Sequence, residues 1–328
     1  MNRSNLLTIA AVSALVLVIA CGPNEKKTVG IAKFVSHPAL DSVEMGIMDE
    51  IRATKPEVEF DQQNSNADMA TAAQIAQRFK EKKVSVAVGI ATPTAQALAN
   101  QIKDRPIVFS VVTDPVAAGL VESMQKGGAN ITGTSDMTPV RAQLDLLLAL
   151  APVKKLGHLY ASGEANSVAI AALVKAYCAE KGIAYVEATV TNSSEVKSAL
   201  LSIADRIDGL YLGNDNTVFS ALNAVSEVTL AKKIPLMSAD PSSAETIPVL
   251  AALGYDYYQM GRETGKIVVR ILSGEKTSDI PAYLPTDPSA LVLVLNKDVA
   301  AKLGITFDAA LLERAKVIVS GGVATKKQ

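Results

Sequence analysis

Six stretches place short hydrogen-bonding side chains directly after an apolar run and directly before a helical pattern. They read "FVSHPALD" (Phe34, Ser36, His37), "GIATPTAQ" (Thr92, Pro93, Thr94), "VVTDPVAAG" (Thr113, Asp114), "LYASGEANS" (Glu164, Asn166, Ser167), "LGNDNT" (Asp215, Asn216, Thr217) and "MSADPSS" (Asp240, Ser242). Taken singly, each is a helix N-cap, because Asn, Asp, Ser and Thr oxygens accept from the free N–H groups of a first helical turn. Taken together they describe one cleft: hydroxyls and free helix N–H groups suit a carboxylate, and Asp215 or Asp240 suits an ammonium. His37, ahead of Pro38, reads as a loop histidine rather than a metal ligand, and Tyr255-Asp256-Tyr257-Tyr258 as a turn and helix start rather than an aromatic box.

Catalytic signatures are missing. No G-x-G-x-x-G, phosphate-loop G-x-x-x-x-G-K-[ST] or G-x-S-x-G elbow occurs in the chain. A Ser-His-Asp arrangement would need His37 or His158, and His158 lies inside the strand pattern "KLGHLY", where a core or sheet-face role is expected. With two histidines and no Cys/His cluster there is no zinc pattern, and a net charge of −1 gives no footprint for nucleic acid. Binding without catalysis, metal or cofactor is the expectation.

The N-terminus sets the compartment. "MNRSNLLTIAAVSALVLVIAC" has a basic start at Arg3, an apolar run from Leu6 to Ala20 and then Cys21, followed by polar "GPNEKK". That is a secretory signal, residues 1–20, rather than a membrane-spanning helix. Val18-Ile19-Ala20-Cys21 matches the bacterial lipobox, in which the cysteine is acylated and becomes the mature N-terminus. The other cysteine, Cys178, is left without a thiol to pair with, so the core alone must hold the fold. With 49% hydrophobic residues the chain has material for two cores.

From Thr28 onward apolar runs alternate with helical patterns: "TVGIAKF", helix 39–53, "EVEFD", helix 69–80, "VSVAVGI", "TAQALANQI" and "IVFSVV", ending near "NITGT". The series restarts with helix 140–150, "KLGHLY", helix 168–180, "AYVEATV", helix 195–203, "GLYLG", helix 218–231 and "IPLMSA", and a tail adds helix 257–272, the strand "LVLVLN" and two short helical segments. Uniformly apolar strands joined by helices indicate parallel sheets covered on both faces. The expected fold is α/β, with two doubly wound lobes and a ligand cleft at the carboxyl ends of their strands.

The segments "VGIAKFVSHPALD", "ATPTAQALAN", "VVTDPVAAGLV", "NITGTSDMTPVRAQLDLL", "GEANSVA", "NDNTV" and "GYDYYQMGRETGKI" occur in that order over about residues 28 to 320. In them the chain resembles the ABC-transporter substrate-binding proteins of the tryptophan/tyrosine-binding type. The resemblance implies a type I periplasmic-binding-protein fold with a three-segment hinge, residues 28–137 plus 254–288 forming one lobe and 138–253 plus 289–328 the other. It implies an aromatic amino acid as ligand, delivered to a membrane permease; with the lipobox reading, the expectation is a monomer held outside the cytoplasm by a lipid on Cys21. It further implies that Phe34 stacks on the ligand side chain, that Thr92, Thr94, Asn166 and Ser167 hold its carboxylate, and that Asp215, Asn216, Thr217 and Asp240 face its amino group. Ser36, Thr113 and Asp114 complete the expected ligand-binding set. One segment departs from the family pattern: "SADPSSAETIPVLAALGYDYY" replaces a glycine-rich, more polar stretch, and Pro241 and Pro248 stiffen it. A sugar or nucleoside binder would want stacking aromatics from both lobes, which 4% aromatics without tryptophan disfavours. A two-lobed enzyme acting on an amino acid lacks a paired-cysteine or phosphate-loop signature.

Overall fold

The computed structural model describes residues 27–327, so Cys21 and the signal segment lie outside the described residues. The first half of the chain runs β1 (Thr28–Lys33), α1 (Pro38–Thr54), β2 (Glu59–Asn64), α2 (Met69–Glu81), β3 (Val86–Ile90), α3 (Thr92–Gln101), β4 (Ile107–Ser110) and β5 (Ile131–Gly133). Its sheet has the order β2-β1-β3-β4-β5 and is parallel throughout. β3 and β4 are buried along their whole length, as strands covered on both faces must be.

The second series comprises α4 (Val140–Leu150), β6 (Lys155–Ala161), α5 (Ala165–Lys181), β7 (Ala184–Val190), α6 (Val196–Ala204), β8 (Gly209–Leu212), α7 (Asn216–Ser220), α8 (Leu222–Lys232), β9 (Leu236–Ser238), α9 (Pro241–Ala244) and β10 (Ala251–Tyr255). α10 (Tyr257–Leu272) then packs on α1, and β11 (Leu291–Asn296), α11 (Lys297–Leu303), α12 (Ala309–Arg314), β12 (Val317–Ser320) and β13 (Val323–Lys326) complete the second sheet, in the order β13-β12-β11-β10-β9-β8-β6-β7. The chain therefore passes between the two sheets around residues 134–139, 255–257 and 284–290.

The α/β architecture matches the sequence expectation, with four differences. The second sheet is mixed, since β10 pairs antiparallel with β11 and β12 with β13. β5, β10, β12 and β13 are strands where no strand was expected. The helix expected at 218–231 is two helices broken at Ala221, whose backbone leaves the helical region (φ −114°, ψ 20°). α3 begins at Thr92, ahead of the expected "TAQALANQI", with Pro93 tolerated in the first turn because its missing N–H has no intrahelical partner there.

Packing explains why α10 belongs to the first sheet although it follows the second. A methyl group on Gly46 of α1 would lie 2.2 Å from the Tyr258 carbonyl oxygen, and one on Gly261 of α10 would lie 2.2 Å from that of Val43. The two helices therefore meet backbone to backbone, and Val43, Ile47, Met260, Ile267 and Val268 enter one apolar core with β1 and β3. Cys178 is a buried free thiol in a second-sheet core, pushed up to about 11 by burial. His158 is buried on the face of its sheet, bonded to the Tyr185 hydroxyl at 3.0 Å and held well below the usual histidine range, at about 3, by desolvation.

Candidate functional site

In both sheets the strand order reverses once among the parallel strands, between β1 and β3 in the first and between β6 and β8 in the second. Loops leaving the carboxyl ends on either side of such a reversal diverge and leave a crevice. Here the two crevices face each other across a narrow, partly open cavity with about 20 Å³ of free space. From the first sheet it is lined by His37, Ala39 and Leu40 after β1, Thr92 after β3, and Val111 and Thr113 after β4. The second sheet contributes Asn166 after β6 and Asn214, Asp215, Asn216 and Phe219 after β8, and the chain passages between the sheets contribute Asp136 and Tyr257.

Asp136 joins all these parts. Its carboxylate accepts from the Thr113 hydroxyl at 3.2 Å, the Asn214 amide at 2.8 Å and the Tyr257 hydroxyl at 3.2 Å, so one residue ties both lobes and two chain passages together. It is buried, with no lysine or arginine among its partners, and burial pushes it up to about 7. Nothing in its sequence context marks it, since it follows neither a helix-leading strand nor a cap pattern.

The acids of the second-lobe wall are held in a closed network. Asp215 caps α7 by accepting from the Val218 N–H at 2.7 Å, while its other oxygen accepts from the Ala161 N–H at 2.6 Å, pinning the end of β6. Both carboxylate oxygens are thus taken up by backbone, and burial followed by the Glu164 charge pushes the group upward. Glu164 accepts from the Thr217 N–H at 2.9 Å, the Thr217 hydroxyl at 2.7 Å and the Asn216 amide at 2.5 Å. Asp240 caps α9 through the Ser242 and Ser243 N–H groups and the Ser243 hydroxyl.

The first-lobe wall is different. His37 is buried and neither ring nitrogen makes a hydrogen bond of ordinary geometry; desolvation lowers it against the opposing charges of Asp240, Asp41 and Glu164 and the Asn216 side chain. Its ring meets Phe219 of the other lobe edge-on, with centroids 5.9 Å apart. The Thr92 hydroxyl is also buried without a partner. Two non-glycine residues beside the cavity hold positive φ, Ala91 at 78° and the β-branched Val111 at 49°. Such conformations cost about 1–3 kcal/mol each and persist where surrounding structure imposes them.

Buried polar atoms are almost always paired, so those that are not point to a missing partner. Among the described residues the unpaired side-chain atoms are both ring nitrogens of His37, Thr92 Oγ1, Asn166 Oδ1 and Asn214 Oδ1, with others dispersed on Glu50, Ser65 and Arg105. Those first four residues all line the one cavity.

Thr92, Thr113, Asn166, Asp215 and Asn216 of the sequence-expected set line it. The rest do not. Phe34 is buried in the first-sheet core, so the rings at the cavity are His37, Phe219 and Tyr257 instead. Ser36 is exposed and accepts from Asn64. The Thr94 hydroxyl donates to the Ile90 carbonyl at 2.5 Å, closing its own turn. Asp114 accepts from the Val116 and Ala117 N–H groups, and Ser167 and Thr217 sit behind Asn166 and Glu164. Phe219, four residues after the helix cap Asp215, carried a signal in that spacing. Tyr257 lay in a turn read as purely structural.

Comparison with known proteins now decides the family. Residues 28–319 match the family described as ABC transporter substrate binding protein. The chain belongs to this family. It is 33% identical over 312 residues to a tyrosine-binding protein of Clostridioides difficile, covering 89% of each chain. It is 32% identical to an ABC domain from Streptococcus pneumonia solved in complex with L-Trp, with a TM-score of 0.85, covering 90% of this chain and 100% of that one. A ligand-free, open substrate-binding protein with adhesive properties from Clostridium difficile is 36% identical and superposes with a TM-score of only 0.64, over 86% of this chain and 96% of that one. At similar identity the better superposition is on the liganded structure, in line with the interlobe contact of His37 and Phe219. This substrate-binding protein is thus a type I periplasmic-binding-protein-like, extracytoplasmic component of an ABC transporter, and binding rather than catalysis is its role. Among the described residues no helix is long and apolar enough to cross a membrane.

Proposed function

We propose that this protein is the receptor of an importer for an aromatic amino acid, anchored outside the cytoplasm by a lipid on Cys21 and handing its ligand to a membrane permease. The observation that carries the ligand assignment is the gathering of unpaired buried polar atoms on one interlobe cavity. An α-ammonium has three N–H donors. Asn166 Oδ1, Asn214 Oδ1 and the Asp136 carboxylate supply three acceptors. The ligand carboxylate takes the Thr92 hydroxyl and a His37 ring N–H, at the entry to α3. His37, Phe219, Tyr257 and Leu40 enclose the side chain, and the tyrosine and tryptophan ligands of the two relatives support an aromatic one. The moving bodies are residues 28–137 with 254–288 and residues 138–253 with 289–328.

Mass spectrometry of small molecules released on denaturing the purified protein tests this reading. Retained tyrosine, tryptophan or phenylalanine is the expected result, and the same amino acids should raise the melting temperature. At a ligand concentration a hundredfold above Kd, linkage adds about 2.7 kcal/mol of stability. A melting shift with sugars or nucleosides and none with amino acids would overturn it.

A further inference from the structure

The charges around the cavity are one-sided. Asp136, Glu164, Asp215 and Asp240 are all buried. Asp240 and Glu164 bear on the lining residue His37, Asp136 and Asp240 on Tyr257, and Glu164 on Asp215. Every hydrogen bond these carboxylates accept, as set out above, comes from a neutral donor: backbone N–H, hydroxyl or amide. No lysine or arginine lines the cavity. The buried Lys33 is held by Asp41 and Glu44, each at 2.6 Å, and is not among the lining residues. Neutral dipoles satisfy hydrogen-bonding capacity but leave any negative charge on these acids uncompensated in a medium of low dielectric, which is why burial pushes Asp136 and Asp215 upward.

The two amides fix the sign of the vacant polar positions. The Asn166 amide nitrogen donates to the Asn214 carbonyl at 2.8 Å and to Glu164 at 3.2 Å, and the Asn214 amide nitrogen donates to Asp136 at 2.8 Å and 3.1 Å. Each side-chain nitrogen is committed, so the unpaired atoms are oxygens that can only accept. Facing them across the cavity, the side-chain donors open to an anion are a threonine hydroxyl and one N–H of a neutral imidazole, beside the first turns of α1 and α3, so an anion there meets neutral donors alone. A bidentate guanidinium, the strong partner for a carboxylate, is missing.

We infer that the ligand's positive charge is its obligatory element and its carboxylate is not, so that the closed cleft accepts primary aromatic amines and rejects aromatic carboxylates lacking an amino group. This inference deepens the aromatic-ligand reading and rests on it. An incoming ammonium neutralises the buried acids while filling three acceptors. A ligand with only a carboxylate adds a further negative charge and leaves those acceptors empty. Closure around the second costs more than closure around the first.

Titration calorimetry on the full mature protein with two matched sets tests this: tyrosine, tyramine and 3-(4-hydroxyphenyl)propionate, then tryptophan, tryptamine and 3-(indol-3-yl)propionate. In the set whose amino acid binds, the amine should bind more tightly than the acid by about tenfold or more, equivalent to about 1.4 kcal/mol. An acid that binds as tightly as its amine, or more tightly, overturns the inference while leaving the amino-acid reading intact. If neither amino acid binds, the aromatic reading fails and the inference falls with it. Asp136→Asn adds an independent arm: the amine should lose more affinity than the acid, and an equal loss for both would assign Asp136 a purely structural part.

Discussion

The two walls of the cleft are built from the same kind of loop and finished in opposite ways. On the second-lobe wall Asp215, Glu164 and Asp240 are consumed by N–H and hydroxyl groups of their own lobe. On the first-lobe wall His37 and Thr92 are buried and unpaired, beside strained backbone at Ala91 and Val111. A satisfied polar network is rigid and has little to offer a ligand, whereas an unsatisfied one is costly until a ligand arrives. The acids of the second wall are therefore a preformed frame with negative charge, and the contacts that reward closure come from Asp136, that wall's two asparagine oxygens and the first-lobe groups.

The largest effect should come from the residue shared by both walls. Asp136→Asn keeps the size and some of the hydrogen bonds but removes the charge that faces the ammonium, and stranding one member of a desolvated pair costs roughly 2 to 5 kcal/mol. Calorimetry should find affinity for the cognate amino acid reduced by about thirtyfold or more. Affinity within a few-fold of wild type would transfer the ammonium to another acid and undo the contrast between the walls.

Next in size is pH. Burial raises Asp136 to about 7, so in the ligand-free cleft it gains a proton as pH falls through that value. A cationic ligand requires the ionised form, so affinity should fall between about pH 8 and pH 5, by up to about tenfold per unit below the raised pKa. Folding responds with the opposite sign. A carboxyl whose native pKa lies above its unfolded value contributes stability that is complete below the unfolded pKa and is lost as pH rises through the native one. Acidification across this window should thus raise the ligand-free melting temperature while shrinking the increment that ligand adds. Asp215 on the same cavity is also raised to about 7, by burial and then the Glu164 charge, and adds to the folding effect with the same sign. Asp136→Asn should remove Asp136's share of the affinity change, while Tyr257 and Tyr255 are pushed upward and stay neutral here, and His37 is lowered. An affinity flat over this range would mean that Asp136 is hydrated before ligand binds.

Asp215→Asn sharpens the contrast from the other side. The carboxylate serves two backbone N–H groups, and an amide keeps one acceptor and presents a donor to the other N–H. The expected loss is about 1–3 kcal/mol in folding stability, measured by denaturant unfolding, with a smaller change in ligand affinity. The reverse ranking would make Asp215 a ligand group. Smallest of all, Thr94→Val removes a hydroxyl that bonds only its own turn, at Ile90 and Ala91. Affinity should change by less than about threefold, well under 1.4 kcal/mol; a tenfold loss would place Thr94 on the ligand.

What the sequence made legible follows the same division. The parallel strands β1, β3, β4, β6 and β8 are continuous apolar runs, and the polar residues after them are caps by type, so the lobes and the loops of the cleft could be read directly. β12 and β13 are short strands at the edge of the second sheet, where Ser320, Gly321 and Gly322 break the apolar run, and β5 is only three residues long. Within the cleft, side-chain type alone does not separate an oxygen spent on its own helix from one left over. Asp215, Asp240 and Asp114 have the right chemistry and are already occupied, while Asp136 gains its place from three partners distant in sequence, Thr113, Asn214 and Tyr257. Phe34 was the obvious aromatic at a strand end, yet alternation along the chain sends it into the core and leaves His37 to meet Phe219.

The position of the ligand ammonium decides between the two walls. A crystal structure of the protein with its retained or added aromatic amino acid should place the ligand nitrogen within hydrogen-bond distance of the Asp136 carboxylate and of Asn166 Oδ1 and Asn214 Oδ1, in the cavity between the lobes. A ligand nitrogen bonded instead to Asp215 or Asp240, with Asp136 still holding only Thr113, Asn214 and Tyr257, would contradict it.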